Sequence, residues 1–347
     1  MGFTDSERAA MRRALELAAT PGVPLGPNPR VGCVLLAVDG SEVAEGFHRG
    51  AGGPHAEAAA LAEAGDAARG ATAVVTLEPC DHSGRTGPCT QALIATGVRR
   101  VVFAQTDTNP VARGGGATLR AAGIEVEGGL LVDDARRLNR AWTFAVEHGR
   151  PFVTWKLATT LDGRSAAADG TSRWVSSPAA RRDTHRLRSL CDAILVGTNT
   201  VEVDDPELTV RDEYGDPLPR QLLRVVMGKR ELDPSRRVFD DRAETLRMRS
   251  HDPREVLDVL YTRDCQHLFL EGGPTVAGAF LRAGLVDEVV AYVAPMLLGA
   301  GRAAVVDLGI TTIAAALHLR VTDVTVLEDH DGGDDNVRIT MSPKETT

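Results

Sequence analysis

The sequence predicts an α/β protein with two domains. Helix-like and strand-like segments alternate along most of the 347 residues, which is typical of helices packed on a central sheet. A chain of this length is long for a single hydrophobic core. The run His148-Gly149-Arg150-Pro151 interrupts the alternation, because glycine and proline both break regular structure. We therefore predict one domain over residues 1–148 and a second over residues 149–347.

The first domain is predicted to contain a sheet with helices between its strands. An amino-terminal helix over about Glu7–Ala19 would be capped by Asp5 or Ser6. Apolar runs typical of strands occupy Val31–Ala37, Ala73–Leu77, Val101–Ala104 and Ile124–Val126. Helix-like runs occupy Ala56–Ala64, Thr90–Thr96, Ala117–Ala122 and Asp133–Glu147.

The second domain repeats this alternation and ends differently. Its predicted strands are Phe152–Ala158, Ala193–Val196, Leu223–Met227, His267–Leu270 and Val289–Val293. Helical patterns occupy Ala179–Leu190 and Val276–Ala283. The last segments, Val321–Leu327 and Asn336–Met341, alternate apolar and polar residues around an acidic, glycine-containing turn over Glu328–Asp335, which predicts a terminal hairpin.

The composition is that of an ordinary soluble globular protein, with 43% hydrophobic and 25% charged residues. The formal net charge of −9 argues against general binding to nucleic acid, but it is compatible with a local basic pocket for a phosphorylated small molecule. We find neither an apolar run of about 18 residues nor a secretory signal, so we expect no membrane association and a cytoplasmic location. The five widely spaced cysteines favour reduced thiols over disulfides.

One histidine and two cysteines form the most informative pattern of the sequence. His55 is followed 25 residues later by Cys80 and nine residues after that by Cys89. One imidazole and two thiolates are typical ligands of a catalytic zinc ion, whose fourth position is left to water. Glu57 lies two residues after the histidine, as does the general acid/base of the nucleobase deaminases. Eight residues separate the cysteines here, whereas the deaminase motif has two.

Chance is the alternative explanation, because buried cysteines are common and a single His-x-Glu carries little information. The predicted secondary structure argues against chance. Cys80 follows a strand, and His55 and Cys89 each open a predicted helix, where the helix dipole favours a thiolate and a neutral histidine. His82 is a further candidate ligand, but a loop histidine or a substrate contact is the better interpretation.

Polar segments of the second domain form another pattern. They are Lys156–Arg164, Ser172–Val175, Gly197–Pro206 with Leu208 and Arg211, and Glu271–Thr275. In the last segment a strand meets Gly272 and Gly273 and then a proline suited to a first helical turn. Backbone amides at such a junction would form a cradle for a cofactor pyrophosphate. A tight turn is the simpler explanation of two glycines, and the sequence has no Rossmann fingerprint.

Two side chains of these segments have competing interpretations. Lys156 lies among apolar neighbours at the end of a strand, where a lysine needs a partner such as Asp204 or Glu271. A strand lysine is otherwise usually solvated. Trp174 is compatible with a core position and with a cofactor platform.

Taken together, these segments resemble one family, the bifunctional riboflavin-biosynthesis deaminase/reductases. The resemblance covers nearly the whole chain, and the eight-residue gap between the cysteines is typical of this family. The matching motifs of the first half are Pro27–Gly32, Gly46–His48, His55–Glu57 and Glu78–Cys89. Those of the second half are Lys156–Arg164, Arg182-Asp183 with Arg188, Asp192–Gly197, Asp204–Pro206 and Glu271–Thr275. Two positions depart from the family pattern: Thr160 replaces serine and Met296 replaces a basic residue.

The resemblance implies a fold and a role for each matching residue. It implies a cytidine-deaminase-like α/β/α sandwich followed by a dihydrofolate-reductase-like α/β domain. The zinc ligands would be His55, Cys80 and Cys89, and Glu57 would be the catalytic proton shuttle. NADPH would contact Ala158, Trp174, Thr200, Asp204 and the run Gly273, Pro274, Thr275, Val276, Ala277, Gly278 and Ala279. The substrate would contact Asn28, His48, Lys156, Ser172, Arg188, Leu208, Arg211 and Glu271.

The implied activity is a two-step conversion of a phosphorylated pyrimidine. Zinc-dependent deamination would be followed by NADPH-dependent reduction of a ribosyl group to ribityl, in a protein that we expect to be a homodimer or homotetramer. Three alternatives stay open: a deaminase of RNA or free nucleosides with a degenerate second domain, a single-activity enzyme with a structural zinc module, and a nucleotide-binding sensor. The acidic charge and the group Lys156, Asp204 and Glu271 count against the first. The open three-ligand site with Glu57 counts against the second, and the intact Glu57 counts against the third.

Overall fold

The computed structural model of the chain describes residues 2–20, 23, 26–82, 87–212, 214–329 and 334–344. The chain divides into two compact units, Met1–Gly149 and Arg150–Thr347. Part of the loop between Cys80 and Cys89, and part of the turn expected over Glu328–Asp335, lie outside the described residues. Within the described ranges, no helix has both the length and the apolar character needed to cross a membrane.

The first unit is built from one sheet with helices on both faces. Its helices are α1 (Asp5–Ala18), α2 (Ala56–Ala64), α3 (Cys89–Thr96), α4 (Gly115–Ala121), α5 (Val132–Leu138) and α6 (Arg140–His148), with a 3₁₀ turn at Gly65–Ala68. Its strands are β1 (Gly32–Leu36), β2 (Glu42–Phe47), β3 (Thr72–Leu77), β4 (Arg100–Gln105) and β5 (Glu125–Gly128).

The strands of this sheet lie in the order β2-β1-β3-β4-β5. Strand β1 is antiparallel to both of its neighbours, whereas β3, β4 and β5 run parallel. Successive residues of β1 point to opposite faces of the sheet. Val34 accordingly belongs to a core with Met11 of α1, and Leu35 belongs to a second core with Ala60 of α2 and Leu93 of α3. This is the predicted α/β/α sandwich.

The start of α1 differs from the prediction. The cap is Thr4 rather than Asp5 or Ser6. The Thr4 hydroxyl accepts a hydrogen bond from the Glu7 amide at 3.1 Å, and the Glu7 carboxylate accepts one from the Thr4 amide at 2.8 Å. This reciprocal capping box satisfies two amides at once, which explains why Thr4 is favoured over its neighbours.

Two further differences concern whole elements of the first unit. Strand β2, at the edge of the sheet, was not predicted from its short and mostly polar sequence. The helix expected over Asp133–Glu147 is instead the pair α5 and α6, separated at Asn139. The Asn139 side chain accepts a hydrogen bond from the Arg30 amide at 2.8 Å and donates one to the Arg30 carbonyl at 2.9 Å. These two hydrogen bonds to Arg30 form at the residue where the expected helix is interrupted.

The second unit contains a larger sheet. Its helices are α7 (Pro178–Arg188), α8 (Thr198–Asp204), α9 (Pro253–Thr262) and α10 (Pro274–Arg282), with 3₁₀ turns at Arg237–Phe239 and Ile313–Ala315. Its strands are β6 (Phe152–Thr160), β7 (Arg164–Ala166), β8 (Ala193–Gly197), β9 (Leu223–Met227), β10 (Thr245–Met248), β11 (His267–Leu270), β12 (Glu288–Ala294), β13 (Arg302–Ala303), β14 (Leu319–Leu327) and β15 (Asn336–Pro343).

Eight of these strands form a sheet in the order β10-β9-β8-β11-β6-β12-β15-β14, and β7 pairs separately with β13. The first six in that order are parallel, while β15 and β14 form the predicted antiparallel hairpin. One face packs against α9 and α10 through residues such as Leu257 and Phe280. The other face shares cores with Val201 of α8 and Ala180 of α7.

Several short elements of this unit were not predicted, and one longer element was missed as well. The missed elements are β7, α8, β10, α9 and β13. The sequence does contain a signal for α9: Asp252 caps it by accepting the Arg254 amide at 2.9 Å, a proline occupies its first turn, and Val256, Leu257 and Leu260 are buried at helical spacing. Strands of two to four residues leave no comparable pattern in a sequence.

Glycine at position 115 permits a close approach between α4 and the chain just before Cys80. A Cβ atom at Gly115 would lie 1.8 Å from the carbonyl oxygen of Pro79. The overlapping atom belongs to the backbone and cannot move aside as a flexible side chain would. Gly115 therefore fixes how closely α4 approaches the end of the segment that follows β3.

We predict that Gly115→Ala destabilises the protein and displaces Cys80. The added methyl group should lower the free energy of unfolding by about 1–3 kcal/mol, as overpacking does elsewhere. Zinc retention should fall with it, because the displaced backbone carries a ligand. Denaturant titration and elemental analysis measure the two effects. Ala121→Ser, at an exposed residue of the same helix, is the control. Wild-type stability and zinc content in Gly115→Ala would contradict the prediction.

Candidate active sites

His55, Cys80 and Cys89 meet in the first unit. Their potential ligand atoms all lie within 4.8 Å of one another, and this is the group of that kind found among the described residues. The Nδ1 atom of His55 lies 3.5 Å from the sulfur of Cys80 and 3.3 Å from the sulfur of Cys89. One nitrogen and two sulfurs therefore converge on a single point, as a tetrahedral zinc site requires.

Local structure explains this convergence. His55 is the N-cap of α2 and Cys89 is the first residue of α3, so the positive ends of two helix dipoles point at the site. The backbone amide of Cys89 also donates a hydrogen bond to the sulfur of Cys80 at 3.5 Å. The hydrogen bond between the two sulfurs lowers the pKa of the Cys80 thiol and raises that of Cys89, so without a metal the pair shares one proton. A bound cation would replace that proton and leave both sulfurs as thiolates. The three residues thus fit a zinc ion in both geometry and chemistry.

Glu57 lies in the first turn of α2 and is 3% exposed. Burial raises the pKa of its carboxyl group, and the nearby Cys80 acts in the same direction. It is not one of the three converging ligands. A buried carboxyl group next to the metal ligands, without being one of them, is suited to accept and return a proton.

Asn28 and His48 form a hydrogen-bonded pair beside the ligands. The Nδ1 atom of His48 lies 2.9 Å from the Pro54 carbonyl oxygen and must donate to it, because a carbonyl only accepts. The Nε2 atom then accepts from the Asn28 amide nitrogen at 2.9 Å. Burial lowers the pKa of His48, which keeps the ring neutral. The rings of His48 and His55 lie edge to face, 5.5 Å apart. Asn28 therefore keeps its amide oxygen available as an acceptor.

Asp107 is a residue of this site that the sequence reasoning missed. It is 5% exposed, and burial raises the pKa of its carboxyl group to about 6, with further increases from Glu78 and Cys80. Strands β3 and β4 are parallel neighbours, with Leu77 beside Gln105. The residues that follow them, Cys80 and Asp107, therefore leave the same edge of the sheet. This strand-end rule is the signal that would have found Asp107.

A cluster of charged side chains forms the corresponding feature of the second unit. Arg188 of α7 donates two hydrogen bonds to Glu271, at 2.5 and 2.9 Å. Burial would raise the pKa of Glu271, but the charge and hydrogen bonds of Arg188 and the charge of Lys156 lower it to about 2. Burial lowers the pKa of Lys156, and Glu271 opposes that shift. Glu271 is therefore the carboxylate whose charge acts on Lys156.

Asp204, the other candidate partner of Lys156, is not among the charges that act on it. The charges that act on Lys156 are those of Glu271 and Arg188. Asp204 is the last residue of α8, and its backbone carbonyl accepts a hydrogen bond from Arg173 at 3.2 Å.

The segment containing Leu208 and Arg211 is held from two sides. Leu208 has a φ of +55°, which is uncommon for a residue with a side chain. Arg211 contacts the Glu207 carboxylate at 2.5 Å and the Thr209 hydroxyl at 3.2 Å. From the interior, the fully buried Arg224 of β9 donates to the Glu207 carbonyl at 3.3 Å. The loop conformation is thus set by hydrogen bonds to the sheet beneath it.

Glycines bring the start of α10 against the strand ends. A Cβ atom on Gly197, at the end of β8, would lie 2.8 Å from Val276, and one on Gly272 would lie 2.8 Å from the same side chain. Gly273 is the N-cap of α10, and Pro274 is its first residue. The helix amino terminus therefore lies where β8 and β11 end, an arrangement that exposes backbone amides to an anion. The remaining residues expected at the cofactor, Thr275, Val276, Ala277, Gly278 and Ala279, lie in the first half of α10.

The remaining predicted cofactor and substrate contacts lie on several elements of the second unit. Ala158 lies on β6, and Thr200 lies on α8. Ser172 and Trp174 follow β7, and Trp174 is 63% exposed with the Arg181 guanidinium 4.5 Å from the centre of its ring. A core position for Trp174 is therefore excluded. Thr160, the first departure from the family pattern, donates its hydroxyl to Asp162 at 2.5 Å, a bond that serine would also form.

Both halves of the chain match known families. Residues 4–105 match the cytidine and deoxycytidylate deaminase zinc-binding region, and residues 151–330 match the RibD C-terminal domain. The riboflavin biosynthesis protein RibD of Mycobacterium tuberculosis is 50% identical over 299 residues, which cover 86% of this chain and 88% of that protein. The chain belongs to the RibD family.

Solved RibD structures have the same fold as this chain. The RibD of Acinetobacter baumannii is 36% identical with a TM-score of 0.88, and the match covers 98% of this chain and 99% of that one. A protein of Thermotoga maritima, described as a diaminohydroxyphosphoribosylaminopyrimidine deaminase and 5-amino-6-(5-phosphoribosylamino)uracil reductase, is 33% identical with a TM-score of 0.87 over the same shares. The predicted family and fold class are therefore confirmed.

Membership of the RibD family defines the activity at the level of the whole chain. It is a bifunctional enzyme of riboflavin biosynthesis, with a zinc-binding deaminase domain and a reductase domain. Its cofactors are zinc and NADPH. The alternatives of a single-activity enzyme and of a sensor are thereby set aside, and the substrate is a small molecule of this pathway.

We predict that the purified chain contains about one zinc ion, as a three-ligand catalytic site holds. Cys89→Ala should lose most of this zinc, because two ligands do not complete the site. Cys191→Ala, which removes a buried cysteine of the other unit, should keep it. Elemental analysis of protein purified without chelators gives the answer. Equal zinc in Cys89→Ala and the wild type would show that the metal lies elsewhere.

Proposed function

We propose that the unit Met1–Gly149 removes the amino group of 2,5-diamino-6-(5-phosphoribosylamino)pyrimidin-4-one. We assign the second reaction, reduction of the ribosyl group of the product to ribityl phosphate, to the unit Arg150–Thr347. The observation that carries the first assignment is the convergence of three zinc ligands beside the buried Glu57. The zinc-binding family match covers the same residues.

Deamination replaces the ring amino group with an oxygen atom from water and releases ammonia. Zinc held by His55, Cys80 and Cys89 would lower the pKa of water from 15.7 to about 7 and so supply the nucleophile. Glu57 accepts the proton of the attacking water, passes a proton to the ring nitrogen, and assists the departure of ammonia. Its burial protects these transfers from bulk solvent.

Asn28 and His48 orient the pyrimidine in this proposal. His48 is held by the Pro54 carbonyl and in turn holds the amide nitrogen of Asn28. We assign to the Asn28 oxygen the role of acceptor, which would select a substrate donor such as an amino or ring N–H group. A chain of fixed hydrogen bonds of this kind positions a substrate without adding charge to the site.

In the reductase reaction, NADPH supplies a hydride and the solvent supplies a proton. Our proposed cofactor contacts are Ala158, Trp174, Thr200, Asp204 and Gly273–Ala279. Our proposed substrate contacts in this unit are Lys156, Ser172, Arg188, Leu208, Arg211 and Glu271. Arg211 and Lys156 of this second set are the cations we assign to the phosphate group, with Arg211 exchanging its contact with Glu207 for the phosphate oxygens.

We also propose that the protein is a cytoplasmic homo-oligomer. Its described cysteines are all free thiols, as a reducing compartment maintains. Strand β14 lies at the edge of the larger sheet, and Val324 and Val326 on it are 59% and 56% exposed. A second copy of the chain that pairs with this edge would cover both valines. Covering this apolar edge also prevents uncontrolled strand pairing.

We predict that Glu57→Gln abolishes ammonia release and preserves the reductase. The amide cannot carry protons, so the deamination rate should fall by about 10²–10⁴-fold while zinc stays bound. The variant should still oxidise NADPH when given the deaminated intermediate. Glu63→Gln, exposed on the same helix, is the control. Loss of both activities in a folded Glu57→Gln protein would refute the assignment of separate sites.

We predict that Arg211→Ala raises the reductase KM for the phosphorylated intermediate by about 10- to 100-fold, because a charge-assisted contact is worth about 1.5–3 kcal/mol. The affinity for NADPH should change little. Arg242→Ala removes another cation that contacts Glu207, at 3.0 Å, and should leave the KM near wild type. Titration of both ligands separates the cases. An equal loss for cofactor and substrate would show that Arg211 binds the cofactor.

We predict that the double variant Val324→Asp, Val326→Asp dissociates the oligomer. Two carboxylates at the strand edge would have to be buried without partners in the assembly. Sedimentation should give the monomer mass for this variant and a higher mass for the wild type. Val38→Asp, at a residue of the first unit that is 76% exposed, should sediment as the wild type does. A monomeric wild type would contradict the proposal.

A further inference from the structure

One face of α7 connects the two proposed halves of the reductase site. Arg181, His185 and Arg188 lie at positions i, i+4 and i+7 of the helix and therefore share a face. The Arg181 guanidinium lies over Trp174, and Arg188 is bonded to Glu271. His185 therefore lies one helical turn from the proposed cofactor platform and one turn from the proposed substrate contacts.

Charged groups from four segments face His185. Arg188 belongs to α7, Lys156 to β6, and Glu271 follows β11, while Arg211 lies in the loop after α8. Burial and then Arg188 lower the pKa of His185 to about 4, Arg211 and Lys156 act in the same direction, and Glu271 opposes them. The ring is therefore neutral at neutral pH, in a cluster whose other members are all charged.

The fold leaves one nitrogen of this ring unsatisfied. The Nδ1 atom of His185 is buried and has no hydrogen-bond partner in the part of the chain that the structure describes. By contrast, Arg188, Glu271 and Arg211 are all hydrogen bonded. Buried polar atoms are nearly always paired in native proteins. An unpaired imidazole nitrogen beside the proposed substrate contacts therefore indicates a bond that a ligand completes.

We propose that His185 hydrogen-bonds a hydroxyl group, at C2 or C3, of the substrate's sugar chain; this inference rests on the proposed reductase function. A neutral imidazole offers one donor and one acceptor, and a hydroxyl group likewise donates and accepts. The phosphate is a poorer match, because a neutral ring brings no positive charge to complement it. Protein atoms cover Nδ1, so the bond requires the ring to turn about its Cβ–Cγ bond, which breaks no hydrogen bond of Nδ1.

The test follows NADPH oxidation with the deaminated intermediate and with its 2-deoxyribosyl and 3-deoxyribosyl analogues. The wild type should lose about tenfold in kcat/KM with one of these analogues, the size expected for one neutral hydrogen bond. His185→Ala should lose about tenfold with the full substrate and discriminate against that analogue by no more than about twofold. His185→Asn, whose amide lies near the position of Nδ1, should recover most of the loss.

Two controls separate a substrate contact from a structural role. The affinity for NADPH should be the same in His185→Ala and the wild type. Arg182→Ala, at an exposed position on α7, should keep both the rate and the discrimination. Undiminished discrimination in His185→Ala would overturn the proposal. A wild-type protein that reacts with both analogues as efficiently as with the full substrate would also overturn it. This second measurement does not depend on the folding of any variant.

The same assay distinguishes this inference from the function on which it rests. A wild-type protein that does not oxidise NADPH with the full intermediate would overturn the proposed reductase function and the role of His185 together. A wild-type protein that reacts with the intermediate, but whose preference for the hydroxyl does not depend on position 185, would overturn the role of His185 alone.

Discussion

Parallel strands of a sheet end at the same edge, and this constraint decides where polar side chains collect in both units. In the first unit, β3 and β4 lead to Cys80 and Asp107, and the helices that begin at the same edge carry His55 and Cys89. In the second unit, β11 leads to Glu271. Helix amino termini meet strand carboxyl ends at these edges, so metal ligands and anion-binding amides come together without any further device.

Burial has a different consequence in each of the two sites. Around Glu57, burial disfavours the charged form, which suits a group that carries protons. Around Glu271, burial acts in the same direction, but Arg188 and Lys156 outweigh it and keep the carboxylate ionised. The second site therefore presents a fixed arrangement of charges, whereas the first presents a proton carrier beside soft metal ligands. One chain can thus support hydrolysis and hydride transfer with little shared chemistry.

The sequence predicted the features that depend on local pattern or on a distinctive set of residues. The α/β class, the terminal hairpin and the convergence of His55, Cys80 and Cys89 were predicted in this way. The break at Asn139 was not, because it accompanies hydrogen bonds to Arg30, more than 100 residues away. Such long-range geometry has no periodicity that a sequence could display.

The conformation of the loop around Leu208 depends on Arg224, a residue of the protein interior. This arginine is fully buried on β9, yet its N–H groups donate hydrogen bonds to two loop carbonyls. One belongs to Glu207, which precedes β9 in the chain, and the other to Asp240, which follows it. The loop therefore depends in part on the interior: the carbonyl just before its left-handed Leu208 is bonded to a cation that solvent does not reach. During divergence of such a chain, β9 and this loop must change together. A loop transplanted from a relative without its matching interior arginine would lose the conformation that it had in its parent.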